Sequence, residues 1–535
     1  MTENTKIIRG SKGGDKAPPP PYRAPDSLHS RSFATIQDLI SEGEIEGFAT
    51  ASKEGLTKGT TAYNNASLKD VFLDDTPILV STADSSNPLD TEFNFQDVTF
   101  KSKFGTASQT AMTGIPDIDE SRAPTGVQVV VENSDGTDSG GLIGAVTRQI
   151  TNTDVDAVIV TLTWPQIQIF EDDGDIRGDR VDYKIQLQHD SGGFVDKITS
   201  FVSGRTADAY ARDHRIQLNE SFTTVDIRVI RITADSSSST TVNAFQFTSF
   251  QEVIDNKSNY PNSAYTALRL DSKQFNRIPT RKYRIRGIKV RIPGAGANNS
   301  GTPTVDNATG RIVYPTNYIF NGVMGAAVYT NCPSMCLLDL LTNTRYGLGN
   351  HIIDSNLDLF SFVAASKYAN ELVDDKSGAG TQEARFSCNV NIQSPKEAFD
   401  AINELSGVMR CMPIWSAGSV TISQDKPLSP SYVFNLANVG EGGFSYSGSS
   451  LKQRHSVVSV SYFNMDSKEV DFEVVEDSTA IAKLGTIVKQ VKAFACTSRG
   501  QAARLGRAIL FGEQNESEVV SFTTSIDAGI VVRPG

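Results

Sequence analysis

The few residue clusters in this sequence that could do chemistry each have a plainer reading. The acidic run EDDGDIRGD (Glu171–Asp179) gathers carboxylates as an oxygen-rich Ca²⁺ loop does. It lacks the alternating ligand positions and the terminal bidentate Glu of an EF-hand, so it reads as a solvated hairpin tip. The embedded Arg177-Gly178-Asp179 tripeptide is short enough to arise by chance. Cys332 and Cys336 could share one helical face and offer thiolates to a metal. None of the five histidines is spaced to join them, and small apolar residues in a core is the simpler account. GSKGG and GLTKGT miss the GxxxxGK[ST] spacing that cradles phosphate, and PGAGANNSG precedes no helix. There is no Gly-x-Ser-x-Gly elbow. His455, beside Arg454 at the start of a strand, reads as a hydrogen-bonded structural histidine. Carboxylate pairs assemble only in space, and 62 acidic residues offer no privileged pair. No catalytic, cofactor-binding or metal-ligating residue is therefore assigned, no cofactor is expected, and the chain is expected not to be an enzyme.

The elements that would position such groups follow from composition and period. The 535 residues suggest three or four domains. With 50 Lys+Arg against 62 Asp+Glu, the net charge of −12 excludes a surface that is one continuous nucleic-acid footprint. Forty-two glycines, 27 Phe and 15 Tyr favour β-structure with many turns. Five cysteines, none before Cys332, make a poor disulfide framework. Met1–Lys16 has charges but no apolar core, and no stretch approaches the ~18 apolar residues that span a bilayer. These features predict a chain that folds in a cytoplasm and stays soluble.

Residues 1–30 form a Pro/Gly-rich arm carrying Pro18, Pro19, Pro20, Pro21 and Tyr22. Polyproline has no internal hydrogen bonds, so this arm either orders on another surface or remains a tail. Thr35 with Asp38, Ile36, Leu39 and Ile40 reads as a short helix ended by Gly43. Residues 31–330 are otherwise mainly period-two, with a looser insertion over about 85–250. Val181–Leu187, Val225–Val229 and Val155–Trp164 are strands. Tyr283–Ile292 is a basic strand whose parity shift at Gly287 predicts a bulge.

Helical period takes over in 331–435. Pro333 opens a helix, Asp354 or Ser355 caps a second, and the capping box Ser394-Pro395-Lys396-Glu397 starts a third that buries Phe399, Ile402 and Leu405. Residues 436–535 return to strands at Val457–Phe463, Val470–Glu476 and Val519–Thr524, with a helix capped by Ser498. The expected fold class is multidomain β-rich α+β.

Eight segments, in order, carry a resemblance. They are DLISEGEIEG (Asp38–Gly47), IDNKSNYPNSA (Ile254–Ala264), DSKQF (Asp271–Phe275), TRYGLG (Thr344–Gly349), MRCMPIW (Met409–Trp415), SLKQRHSVVSVSY (Ser450–Tyr462), VVEDSTAIAKLG (Val474–Gly485) and ACTSRGQAARLG (Ala495–Gly506). Together they resemble the host specificity protein J family at the tail tip of lambda-like siphophages, over roughly residues 30 to 535 and more loosely over 50–250.

The resemblance implies a phage tail hub of tube-like β domains with α/β insertions, and divides 331–435 as an α/β hub domain from 436–535 as a second tube-like domain. It implies a homotrimeric ring that adapts a hexameric tube to a threefold tip, closes the channel and opens for DNA ejection. The implied partners are distal tail and tail-tube proteins and the tape-measure protein C-terminus. Phage DNA would pass without sequence-specific binding, through a duct that net acidity suits. The family continues into fibronectin-like and fibre domains near where this sequence stops at Arg533-Pro534-Gly535, so the central fibre or host receptor is expected to engage residues beyond 535 or another protein. The chain is expected in the virion tail tip, assembled in the host cytoplasm. For a subunit interface the candidates are Pro18–Tyr22, the loop 293–318, and Arg284 and Arg286, whose alternating charges either face solvent, meet an acidic partner or meet a neighbouring subunit. Two other readings remain. Loops at 85–150 or 190–215 would touch the host, or a cell-wall hydrolase would show a compact catalytic signature, which the sequence lacks.

Overall fold

The computed structural model describes residues 21–532 apart from 31–32, 114–115, 122–125, 130–144, 219–220, 237, 256, 272–273, 276, 377, 379, 395, 417 and 449–453. The chain enters through the strand Phe33–Glu42, where the sequence reads a helix. Ile36, Leu39 and Ile40 do fit a helical stripe. In the structure Ile36 and Ile40 are half-buried while Leu39 is 64% exposed, the alternation of a strand. A ladder from Phe33↔Asp271 to Glu42↔Ser263 imposes it. That pairing is remote in sequence and overrides a local preference that one short segment cannot defend.

The strand Ser263–Asp271 also pairs with Thr99–Phe104. Beneath this sheet Phe48, Tyr63, Val71, Leu73, Ile78, Leu268 and Leu270 form a core, joined by the helix Thr61–Leu68.

Between Thr99–Phe104 and Ser263–Asp271 the chain leaves to build a β-sandwich. One sheet runs Val195–Gly204, Asp179–His189, Val225–Arg231, Val146–Ile150; the other runs Tyr210–Gln217, Ala157–Trp164, Phe245–Asp255, Pro116–Ser121. Period-two patterning decides which residues meet between the sheets. Val181, Tyr183, Ile185 and Leu187 face Val158, Val160, Leu162 and Trp164, all fully buried. Trp164 stacks on Phe245 at 5.0 Å and tilts against Tyr183 at 5.5 Å. Nε2 of His214 lies 2.7 Å from the Tyr183 hydroxyl, and burial pushes the His214 pKa down to about 4. The expected exposed loop at 190–215 is mostly strand, because Val202 and His214 point into this core. The 85–150 region likewise contributes strands, at Thr99–Phe104, Pro116–Ser121, Val127–Val129 and Val146–Ile150.

The basic strand Ile285–Pro293 lies between Ile45–Phe48 and Met324–Tyr329. No bulge occurs at Gly287: Ile45↔Ile288, Gly47↔Arg286 and Phe48↔Ile285 keep one register, and the irregularity falls between Arg291 and Pro293. The parity problem seen in the sequence is met by burying Arg286, only 5% exposed, on the same side as Val290 and Ile292.

Three helices follow: Pro333–Thr342, Leu359–Ala369 and Ala398–Val408. They bury Met335, Leu338, Phe362, Leu405 and Met409 in a second core. Two starts differ from expectation. Asp358 caps the middle helix through the Ser361 amide, while Asp354–Asn356 is a separate 3₁₀ turn. The third helix starts at Ala398 after Glu397, without a side-chain cap, so Phe399 faces outward at 72% exposure. All five cysteines are free thiols, with Cys332, Cys388 and Cys496 buried.

The last unit sets the helix Arg499–Asn515 on the sheet Glu469–Glu476, Val457–Asn464, Val488–Lys492. Ser498 caps it by accepting the Gln501 amide at 3.2 Å. Gly506 lets the helix close on the sheet, since a Cβ there would sit 2.8 Å from Val475 Cγ2. A ribbon of Ser445–Gly448 with Glu518–Ser521 precedes a helix at Ile526–Val531, where the sequence reading continues a strand to Thr524.

Candidate assembly surfaces

Pro18, Pro19 and Pro20 lie outside the described residues. From Pro21 the chain runs along its own sandwich as a strap. The Tyr22 amide donates to Asp175 Oδ1 at 2.7 Å, and Tyr22 and Ile176 are joined by the Ile176 amide at 2.8 Å. Farther on, the Asp26 carboxylate meets Arg205 at 2.9 Å, and Ser30 accepts the Ala211 amide at 2.8 Å. Extended backbone has no partners of its own, and the sandwich edge supplies them. The Tyr22 ring remains 56% exposed. The acidic run forms the expected hairpin tip, with Phe170↔Ile176 in register. Glu171, Asp173 and Asp175 come together there, but Glu171 is paired with Arg177 at 3.3 Å and Asp175 holds the strap.

Arg284 and Arg286 have partners within the chain. Arg284 Nε donates to Asp70 at 2.7 Å and its Nη2 to Thr50 Oγ1 at 3.0 Å. Asp70 is fully buried, and desolvation raises its pKa despite the arginine. Arg286 reaches the Asn307 carbonyl and lies 5.2 Å from the Tyr329 ring centre. Lys289 pairs with Glu44 and Arg291 with Asp354, each at 2.7 Å, so Arg284, Lys289 and Arg291 meet acidic partners within the chain while Arg286 meets a carbonyl and a ring. The loop 293–318 is also folded on its own chain: Tyr318 is buried and donates to the Gly294 carbonyl at 2.9 Å. His455 is structural, hydrogen-bonded to Glu513, which also binds Lys489 at 2.8 Å.

Three of the resemblance segments converge. Arg345 of TRYGLG pairs with Glu42 and donates to Ser263 Oγ at 2.9 Å, while the Gly43 amide donates to the Asn262 carbonyl at 2.7 Å. Tyr346 packs over Gly43, whose φ is +100°.

The sequence reading missed the surface that is most unusual. In Glu469–Glu476, Val470, Phe472 and Val474 alternate with Asp471 and Glu473, and burial would turn the apolar set toward the helix. The structure does the reverse. Val470, Phe472 and Val474 are 62%, 63% and 54% exposed and sit opposite Phe463, Ser461 and Ser459 on the open face. Glu473 faces the helix and binds Arg499 at 2.7 Å. A signal lay in Val475, which breaks the alternation and fixes the buried face. The ribbon is equally open, with Tyr446, Val519 and Val520 exposed and an aromatic cluster in which Phe522 meets Phe434 at 4.7 Å and Phe444 at 5.2 Å. Ile526 and Ile530 of the following helix are 82% and 74% exposed. Exposed apolar side chains clustered on an element in this way mark an interaction surface.

Comparison with known proteins adds relatives. A family model described as "Tip attachment protein J, FNIII-A domain" matches residues 141–256, the sandwich, and one described as "Putative phage tail protein" matches residues 397–535. Tip attachment protein J of Escherichia phage SECphi27 is 30% identical over 526 residues, 98% of this chain and 40% of that protein. The protein of the same name from Escherichia phage SECphi4 is 30% identical over 534 residues, 99% of this chain and 42% of its own. The chain thus spans about two fifths of the length of these relatives. A solved receptor binding domain of the spike protein P1 from bacteriophage PM2 aligns over 25% of the chain and 93% of its own at 10% identity, but its TM-score of 0.18 supports no argument. Over nearly its whole length the chain is thus similar to proteins named tip attachment protein J, and two stretches of it match family models of phage tail proteins.

Proposed function

We propose that this chain is the structural hub of the distal tail tip of a long non-contractile-tailed phage. Three copies form a ring that adapts the hexameric tail tube to a threefold tip, closes the channel and opens for DNA ejection. The ring sits in the virion and carries or anchors the host-recognition fibre. It contacts distal tail and tail-tube proteins and the tape-measure protein C-terminus, and lets DNA pass without sequence-specific contacts.

The observation that carries this reading is the inverted edge strand, with Val470, Phe472 and Val474 turned outward, in a chain that also leaves both strands of a separate ribbon exposed. A two-stranded ribbon is marginal in water and an uncovered apolar edge is an aggregation hazard, so both call for permanent neighbours. Such neighbours fit an obligate assembly better than a transient one. The exposed Tyr22 ring at the end of the strap is proposed as a smaller contact of the same kind. Light scattering on the full chain as it elutes from a sizing column tests this reading. A trimer is expected, and a stable monomer at high protein concentration would overturn it.

A second reading gives host contact to the sandwich, which matches the FNIII-A model and leaves the main sheet as a separate insertion. Replacing its turn 190–194 with Gly-Ser residues should then reduce adsorption; unchanged adsorption and host range would remove it.

A further inference from the structure

A cleft of about 300 Å³ lies among the helix Ala398–Val408, the strand Val488–Lys492 and the helix Arg499–Asn515. Its lining is apolar at Phe386, Val408, Phe494 and Leu505 and cationic at Arg385, Arg410, Lys492 and Arg504. Glu404 is the one lining carboxylate, and Lys396 already holds it at 2.6 Å.

The cations are unequally engaged. Arg385 meets Glu371 at 2.7 Å and Arg504 meets Glu383 at 2.8 Å, both outside the lining. Arg410 has only Asp425 at 3.8 Å, a carboxylate 76% exposed. Lys492 is exposed and has no ion-pair partner among the described residues. Lys492 is therefore left over at the mouth, and Arg410 is held there only by a long contact to an exposed carboxylate.

Two further observations set this cationic wall apart. Among the described residues five arginine Nε–H groups are buried without an acceptor, and three belong to Arg385, Arg410 and Arg504 of this cleft. Buried donors are nearly always satisfied, so three unsatisfied Nε–H groups among the residues of one wall leave its positive charge under-compensated. Arg410 is also held at φ +53°, a left-handed backbone that glycine or asparagine adopts with less strain. The turn thus keeps an arginine where local geometry favours a smaller residue.

We infer that this cleft binds an acidic segment of a partner polypeptide, a carboxylate side chain set beside an apolar one. Lys492 and the weakly paired Arg410 take the carboxylate, and Phe386, Phe494 and Leu505 take the apolar neighbour. A free phosphate gains nothing from that floor, and a nucleic-acid strand needs a longer basic groove than this enclosed space. The site goes beyond the hub reading and does not depend on it.

Fluorescence anisotropy on the full chain, with a fluorescein-labelled Gly-Leu-Glu-Phe-Glu peptide as probe, tests the inference. Binding should weaken with added salt, and R410Q/K492Q should lower affinity about tenfold. A probe with Lys replacing Glu should not bind, and inorganic phosphate should displace the acidic probe poorly. K492Q alone, at an exposed position, serves if the double variant melts early. Equal affinity of the variants, equal binding of the Lys probe, or no binding at all would overturn the inference. Displacement by phosphate at the probe's own concentration would instead make this a small-oxyanion site and overturn the peptide assignment. A monomeric protein that binds the probe would remove the trimer and keep the cleft.

Discussion

Glu473 and Arg499 meet at 2.7 Å across the face where the C-terminal sheet packs on its long helix. This ion pair occupies a place that an apolar contact would ordinarily fill, and its consequence appears on the other face. Because Glu473 is turned inward, its neighbours Phe472 and Val474 must point outward, since adjacent strand residues alternate. The open apolar face is thus a product of the strand's own register.

Phe472→Glu should abolish self-association while leaving the fold intact. The ring is 63% exposed, so stability should change by no more than about 0.5 kcal/mol. Light scattering and thermal melting on the same sample check this; an unaltered oligomer would show that the face is not the contact.

Arg284→Gln should act on stability before assembly. It leaves the fully buried Asp70 without its cation, at a cost of about 2–3 kcal/mol, below the ~3–5 kcal/mol for breaking a buried pair because Thr50 still donates to the carboxylate. Urea denaturation measures the loss, and the molecules that remain folded should associate normally.

The sandwich should lose stability in acid through His214. Its folded pKa of about 4 lies below the ordinary 6.5. The unfolded chain therefore binds more protons across that window, and stability falls as pH drops from 6.5 towards 4, by up to about 3 kcal/mol. Melting temperature against pH should show this slope for the native chain and a flatter one for His214→Phe, whatever the variant's absolute stability.

Gly43→Ala should weaken the junction where Glu42 meets Arg345. The backbone there is at φ +100°, and the new Cβ would lie 3.0 Å from the Tyr346 ring. A loss of about 1–2 kcal/mol is expected by thermal or urea melting.

What the sequence alone determined were the features that local period and end chemistry control. The alternating runs Val181–Leu187 and Val225–Val229 are sandwich strands, Ser498 caps its helix, and the acidic run is a hairpin tip. Each depends on neighbours within a few residues, as did the ordered segments that carried the family resemblance.

The tertiary structure decided whatever depended on a distant partner. Phe33–Glu42 is a strand because Ser263–Asp271 lies beside it, and Arg286 is buried because the register with Gly47 allows no shift. For the basic strand the sequence left solvent, an acidic partner and a neighbouring subunit all open, and the fold places Asp70, Glu44 and Asp354 against it. Val470, Phe472 and Val474 share one face of their strand by period alone, and they stay open because the helix takes the other face. A strand's pattern states which residues share a face, but only packing selects the face that is covered.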